Sequence, residues 1–131
     1  CRSPMAQAEL ARLLPDRSVE SAGLDALVGA PADPLAMAVA AEHGLDISMH
    51  RARQLSWAMC LQADLILAME QHQIEELNAR FPAVRGKAFL IGHYGNFEVP
   101  DPYRGPVASF EQAWGEISTG AEDWAARIAR F

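Results

Sequence analysis

The chain has 131 residues, half of them apolar and 21% charged, with a formal net charge of −6; that size and composition describe one domain, spanning residues 1–131, able to bury a core. The acidic balance speaks against a nucleic-acid backbone or an anionic membrane surface as the main partner, no apolar run reaches the roughly 18 residues of a membrane span, and no signal segment opens the chain. The two cysteines, Cys1 and Cys60, are too few for a disulfide framework or a four-thiolate zinc site, which sets the expectation at a reduced, cytoplasmic protein.

In chain order, Cys1-Arg2-Ser3-Pro4-Met5 reads as the last part of a loop entering a helix. Ser3 is expected as its cap and Pro4 as its first residue, followed by Met5, Ala8, Leu10, Leu13 and Leu14 at helical spacing. The unpaired N–H groups of such a start, its dipole and the planar guanidinium of Arg2 favour an anion. Cys1 beside them raises thiolate chemistry; an ordinary capped helix is the competing reading. Arg17–Ala22 reads as a strand, Asp33-Pro34 as the start of a helix closing at His43-Gly44, and Ser56 as the cap of a short helix carrying Trp57, Met59, Cys60 and Leu61. The continuous run Leu65-Ile66-Leu67-Ala68-Met69 suits a strand covered on both faces, Gln71–Ala79 a helix, and Lys87–Ile91 a second such strand. Ser109 is expected to cap a long final helix whose Phe110, Trp114, Ile117, Ala121, Trp124 and Ile128 recur at steps of three or four. This alternation predicts an α/β fold, a doubly wound parallel sheet with helices on both faces and a ligand site beyond the carboxyl ends of the strands.

The loop after the last strand carries Pro100-Asp101-Pro102-Tyr103. Two prolines restrict the backbone around Asp101, which would hold a general acid in place, although Asp-Pro also serves as a plain turn. His43, His50, His72 and His93 lack the spacing of a zinc site, and no metal or cofactor is expected. Cys60 in its apolar setting reads as a core residue.

These residues together resemble the low-molecular-weight protein tyrosine phosphatases, particularly the bacterial type paired with tyrosine autokinases of exopolysaccharide and capsule export. The resemblance covers essentially the whole chain and rests on Cys-Arg-Ser-Pro-Met-Ala at residues 1–6, Ser21-Ala22-Gly23, His50-x-Ala52-Arg53-Gln54, Met69 at the end of its strand and Asp101-Pro102-Tyr103. It implies a four-stranded sheet of order 2-1-3-4 and hydrolysis of phosphotyrosine through a cysteinyl-phosphate. Arg2 would bind and stabilise the phosphoryl oxygens, Ser3 assist the thiolate, and Asp101 act as general acid and then base. Cys1, Arg2, Ser3, Leu27 and Tyr103 would meet the substrate, while Ser21 and His50 would brace the phosphate loop. Without the resemblance, Ser21 reads as a strand-end hydroxyl, His50 as a surface histidine, and Leu27 remains open between a substrate contact and a loop anchor.

In that family the nucleophile is the first cysteine of a Cys-x5-Arg-Ser loop, five residues before the position of Cys1. The chain is therefore expected to be N-terminally truncated, without the first, central strand and most of the loop, and inactive as it stands. The expected partner is a phosphotyrosine protein, a tyrosine autokinase with a tyrosine-rich tail, bound by a monomer without nucleic acid or membrane insertion. A non-catalytic phosphate-binding or interaction module and an arsenate reductase of the same fold are the alternatives.

Overall fold

A computed structural model describes residues 2–130. Helix α1 spans Arg2–Leu13, α2 Pro34–Glu42, α3 Trp57–Gln62, α4 Gln71–Arg80 and α5 Val107–Ile128; strand β1 is Ile66–Ala68, β2 is Ala88–Leu90, and a 3-10 turn covers Pro82–Val84. The two strands pair in parallel with Ile66 opposite Ala88, Leu67 opposite Phe89 and Ala68 opposite Leu90.

Side chains alternate across this small sheet, as the period of two requires. Leu65, Leu67 and Phe89 pack against the large core formed with α1, α2 and α5, where Met5, Val39, Ile91, Phe110 and Ile117 are buried. Ile66, Ala68, Ala88 and Leu90 face a second cluster with Cys60, Ile74, Leu77, Phe81 and Val84. Fully burying one such Ile or Phe side chain is worth roughly 1.5–3 kcal/mol. Helix α5 supplies the longest apolar stripe, from Phe110 through Trp114, Ile117 and Ala121 to Trp124, and Trp124 Nε1 donates to Leu90 O at 3.0 Å, tying it to β2. At Gly120 a Cβ would stand 2.5 Å from Ile91 O, so the helix reaches the strand end only because that position has no side chain.

Several expectations need correction. Of the three strands expected in this chain from the order 2-1-3-4 without its first, those at Leu65–Met69 and Lys87–Ile91 are found, and the described residues form a two-stranded sheet, β1 beside β2. Arg17–Ala22 is no strand: Val19 packs against the Leu10–Leu14 face of α1 and its carbonyl accepts from Gln7 Nε2 at 3.3 Å, while the nearest ladder is one isolated bridge, Gly23 to Gln54. A strand needs a partner for its N–H and C=O groups, and here loop contacts take that place. Ser3 lies inside α1 and Pro4 in its first turn, where a missing N–H costs no internal bond. Helix α5 begins at Val107 after Pro106, so Ser109 is not its cap but donates its N–H to Pro106 O at 2.9 Å. Asp33 does cap α2, accepting Leu35 N at 2.8 Å, and Ser56 caps α3, accepting Met59 N at 3.2 Å. Among the described residues, no helix is long and apolar enough to cross a membrane.

Candidate active site

Strand β1 runs on to Met69, whose carbonyl accepts Val99 N at 2.9 Å. Val99 O in turn accepts Arg2 Nη1 at 2.7 Å. This relay draws the start of α1, the carboxyl end of β1 and the loop bearing Asp101 to one place. They enclose a cleft of about 430 Å³ whose wall includes Arg2, Ser3, Ser21, Leu27, His50, Asp101 and Tyr103. Seven residues expected at the site, scattered over the sequence, thus share one cavity. Cys1 lies outside the described residues.

Arg2 is partly buried and forms an ion pair with Glu70, the residue that follows Met69 and precedes α4. Both the Glu70 and Val99 contacts use Nη1. The Nε and Nη2 hydrogens stand clear of those two bonds, and that edge is the fork that matches two oxygens of a phosphoryl group. Nothing in the sequence marked Glu70; its place at the carboxyl end of a parallel strand was the available signal.

Ser21 Oγ donates to Gln7 Oε1 at 2.5 Å, fastening this side of the wall to α1. The adjoining loop is clamped along residues 50–55. Gly23 N donates to Arg53 O at 2.9 Å, Gly29 N to Ala52 O at 2.8 Å, and Ala52 N to Ala30 O at 2.9 Å. The Gln54 amide adds both its ends, donating to Leu24 O at 2.6 Å and accepting from Ala26 N at 2.9 Å. Anchoring is therefore done by backbone and Gln54, while Leu27 projects at the cleft with 81% of its surface exposed. Gln54 and Arg53 belonged to a motif legible in the sequence, but their work depends on a loop some 25 to 30 residues away, as the separations of 28 and 30 in the Gln54 bonds show.

His50 is partly buried at the wall. Burial lowers its affinity for a proton, and the nearby Arg53 and Arg51 charges lower it further. Asp101 is exposed, and its Oδ1 accepts Tyr103 N at 3.0 Å. The Asp-Pro turn is thus real, and Asp101 stands in the cleft wall as well. Tyr103 is half exposed, with the Arg104 guanidinium 5.2 Å from its ring centroid. Cys60 is buried in α3, where loss of solvent pushes its thiol up despite the Lys87 charge. Among the described residues no group of three His, Cys, Asp or Glu side chains stands where it could hold a metal ion.

A cleft at the carboxyl end of a parallel strand, beside a helix start carrying an arginine, defines an α/β protein that binds an anionic ligand. Comparison supplies the family: residues 1–131 match the model for low molecular weight phosphotyrosine protein phosphatase, and the chain belongs to that family. It is 49% identical over 128 residues to the probable low molecular weight protein-tyrosine-phosphatase EpsP of Ralstonia nicotianae, covering 98% of this chain and 88% of that protein. It is 48% identical over 126 residues to the low molecular weight protein-tyrosine-phosphatase Wzb of Escherichia coli K12, covering 95% and 86% of the two chains. The solved structure of Vibrio vulnificus Wzb in complex with benzylphosphonate superposes with a TM-score of 0.93 at 41% identity, covering 97% of this chain and 90% of that one. The α/β fold is that of these relatives. The expected truncation, absent first strand, missing catalytic cysteine and inactivity are not borne out by matches of this extent, and neither alternative, the interaction module nor the arsenate reductase, gains support from them.

Proposed function

We propose that this protein hydrolyses phosphotyrosine on protein substrates of an exopolysaccharide export system, a tyrosine autokinase with a tyrosine-rich tail being the partner of choice. The observation that carries the reading is the single cleft holding Arg2, Ser3, Asp101 and Tyr103. The names of the similar proteins, tyrosine phosphatases EpsP and Wzb, and the benzylphosphonate bound by the Vibrio vulnificus protein point the same way.

In the mechanism that the family implies, a cysteine thiolate attacks phosphorus. The S–P bond forms as the P–O bond to the tyrosyl oxygen breaks, and Asp101 gives that oxygen its proton. Negative charge spreads over the three remaining phosphoryl oxygens, where the free edge of the Arg2 guanidinium and the backbone N–H groups at the start of α1 meet it. Asp101, now a carboxylate, takes a proton from water as the water displaces sulfur, and Ser3 hydrogen-bonds the departing thiolate. Tyr103 and Leu27 form the walls against which the aromatic ring of the substrate lies. Thiolate, guanidinium and carboxylate supply nucleophile, charge stabilisation and proton, so the scheme calls for no cofactor, and a soluble monomer suffices.

Asp101→Ala tests this. The variant loses about 10²- to 10⁴-fold in turnover of phosphotyrosine. With an aryl phosphate whose leaving group needs no proton it accumulates a phosphocysteine detectable by rapid acid quench and mass spectrometry. Absence of any phosphocysteine sinks the mechanism.

A further inference from the structure

Two arginines line the described cleft, and the structure treats them differently. Arg2 is committed to Glu70 and Val99 O, whereas Arg53 is 48% exposed and its polar contacts among the described residues are long, 3.4 Å from Nη2 to Ser21 O and 4.0 Å to a Glu20 carboxylate that is itself more than half exposed. A pair so open to water is weak and readily exchanged. The backbone beneath it is held firmly: Arg53 O accepts Gly23 N, and Ala52 and Gln54 on either side bond to the opposing loop. A movable cation therefore stands on a fixed wall.

Other charges on that wall give the cation a direction. Asp33 also lines the cleft and accepts Leu35 N, so a second anionic group of the substrate is better placed by Arg53 than by Asp33. A chain as acidic as this one, at −6, offers an anionic segment little general attraction. We propose that Arg53 is a specificity residue that binds an anionic side chain, carboxylate or phosphate, next to the phosphotyrosine of the substrate, exchanging its contact with Glu20 for the substrate anion. The inference rests on the phosphotyrosine reading above and names the substrate class within it: acidic or multiply phosphorylated segments, lying with the anion on the Ser21 side of the cleft.

The test measures kcat/KM of the protein on three phosphotyrosine peptides that differ only at the flanking position, carrying Glu, phosphoserine or Gln. The ratio of each anionic peptide to the Gln peptide is taken within one variant, which cancels changes in chemistry or in the amount of folded enzyme. For the wild type we expect a ratio of about five, the size a half-exposed ion pair supports, shrinking as salt is added. Arg53→Gln brings it to about one, and Arg53→Lys restores part of it. A raised ratio for Glu alone assigns the site to carboxylates, and for phosphoserine alone to a second phosphate. A wild-type ratio near one, or an Arg53→Gln ratio equal to the wild type, overturns the inference while leaving the phosphotyrosine reading intact. Failure of the wild type to act on any of the three peptides removes both.

Discussion

Along α5, Phe110, Ala113, Trp114, Ile117, Gly120, Ala121, Trp124 and Ala125 are buried at steps of one or three residues. Across the molecule the cleft wall at residues 21–30 and 50–55 has a single isolated bridge for regular structure and is held by individual backbone bonds and the Gln54 amide. The helical side is a continuous apolar surface in which a change of one side chain is felt by many neighbours. On the cleft side, exposed groups such as Leu27, Arg53 and Asp101 contribute little to packing and are available to a ligand. Substitutions should accordingly separate, those on the helices lowering stability and those on the wall altering kinetics.

The largest expected stability effect is at Gly120. Helix propensity alone would favour a larger residue there by nearly 1 kcal/mol, yet a Cβ meets Ile91 O at 2.5 Å and Ile91 C at 3.0 Å, backbone atoms that cannot rotate away. Overpacking wins, and Gly120→Val destabilises by roughly 3 kcal/mol, read as a shift of the urea midpoint. An unchanged midpoint would show that α5 does not approach β2 this closely.

Glu9 comes next. Its carboxylate is 2% exposed between α1 and α5, accepting Arg12 Nε at 2.6 Å and Ser118 Oγ at 2.7 Å. Burial pushes the group up, but the bonds from Arg12 and Ser118 outweigh it and hold the carboxyl below its ordinary 4.5. Being depressed in the folded state, it contributes stability that is fully present above its unfolded value and is lost as pH falls through the folded one. Glu9→Gln therefore costs about 1–2 kcal/mol at pH 7, and the difference from wild type narrows as pH drops below about 4. Thermal unfolding at pH 3 and pH 7 measures it, and a difference that stays constant with pH rules out the charged bond.

Smallest in stability is Leu27→Ser. Exposed as Leu27 is, the change leaves the unfolding free energy within about 0.5 kcal/mol of wild type but raises KM for a phosphotyrosine peptide severalfold, through loss of about 1 kcal/mol of apolar contact. A drop in stability larger than the change in KM would place Leu27 with the scaffold and blur the contrast between the two regions.

What was legible in the sequence follows this same division. The helices showed themselves through spacing: Met5 and Leu10 on α1, the Phe110–Trp124 stripe on α5, and the caps Asp33 and Ser56. Arg2, Ser3, Ser21, Leu27, His50, Asp101 and Tyr103 were legible as motifs, and the fold gathers them in one cleft. Arg17–Ala22 misled because its short apolar-polar pattern suits a strand, whereas pairing depends on a neighbour that no local pattern names. Glu70 and Gln54 went unassigned for a related reason: their bonds to Arg2, Leu24 and Ala26 link residues 68, 30 and 28 positions apart.

The sequence by itself determined where helices run, which faces are apolar and which residues are candidates for anion-binding and acid-base chemistry, because capping, periodicity and side-chain chemistry act within a few residues of the chain. Only the tertiary structure decided that Glu70 holds Arg2, that Gln54 shapes the loop bearing Leu27, and that Arg53 stands lightly held on the wall. Those outcomes depend on which surfaces meet and on which polar groups burial leaves to one another, and neither is a local property.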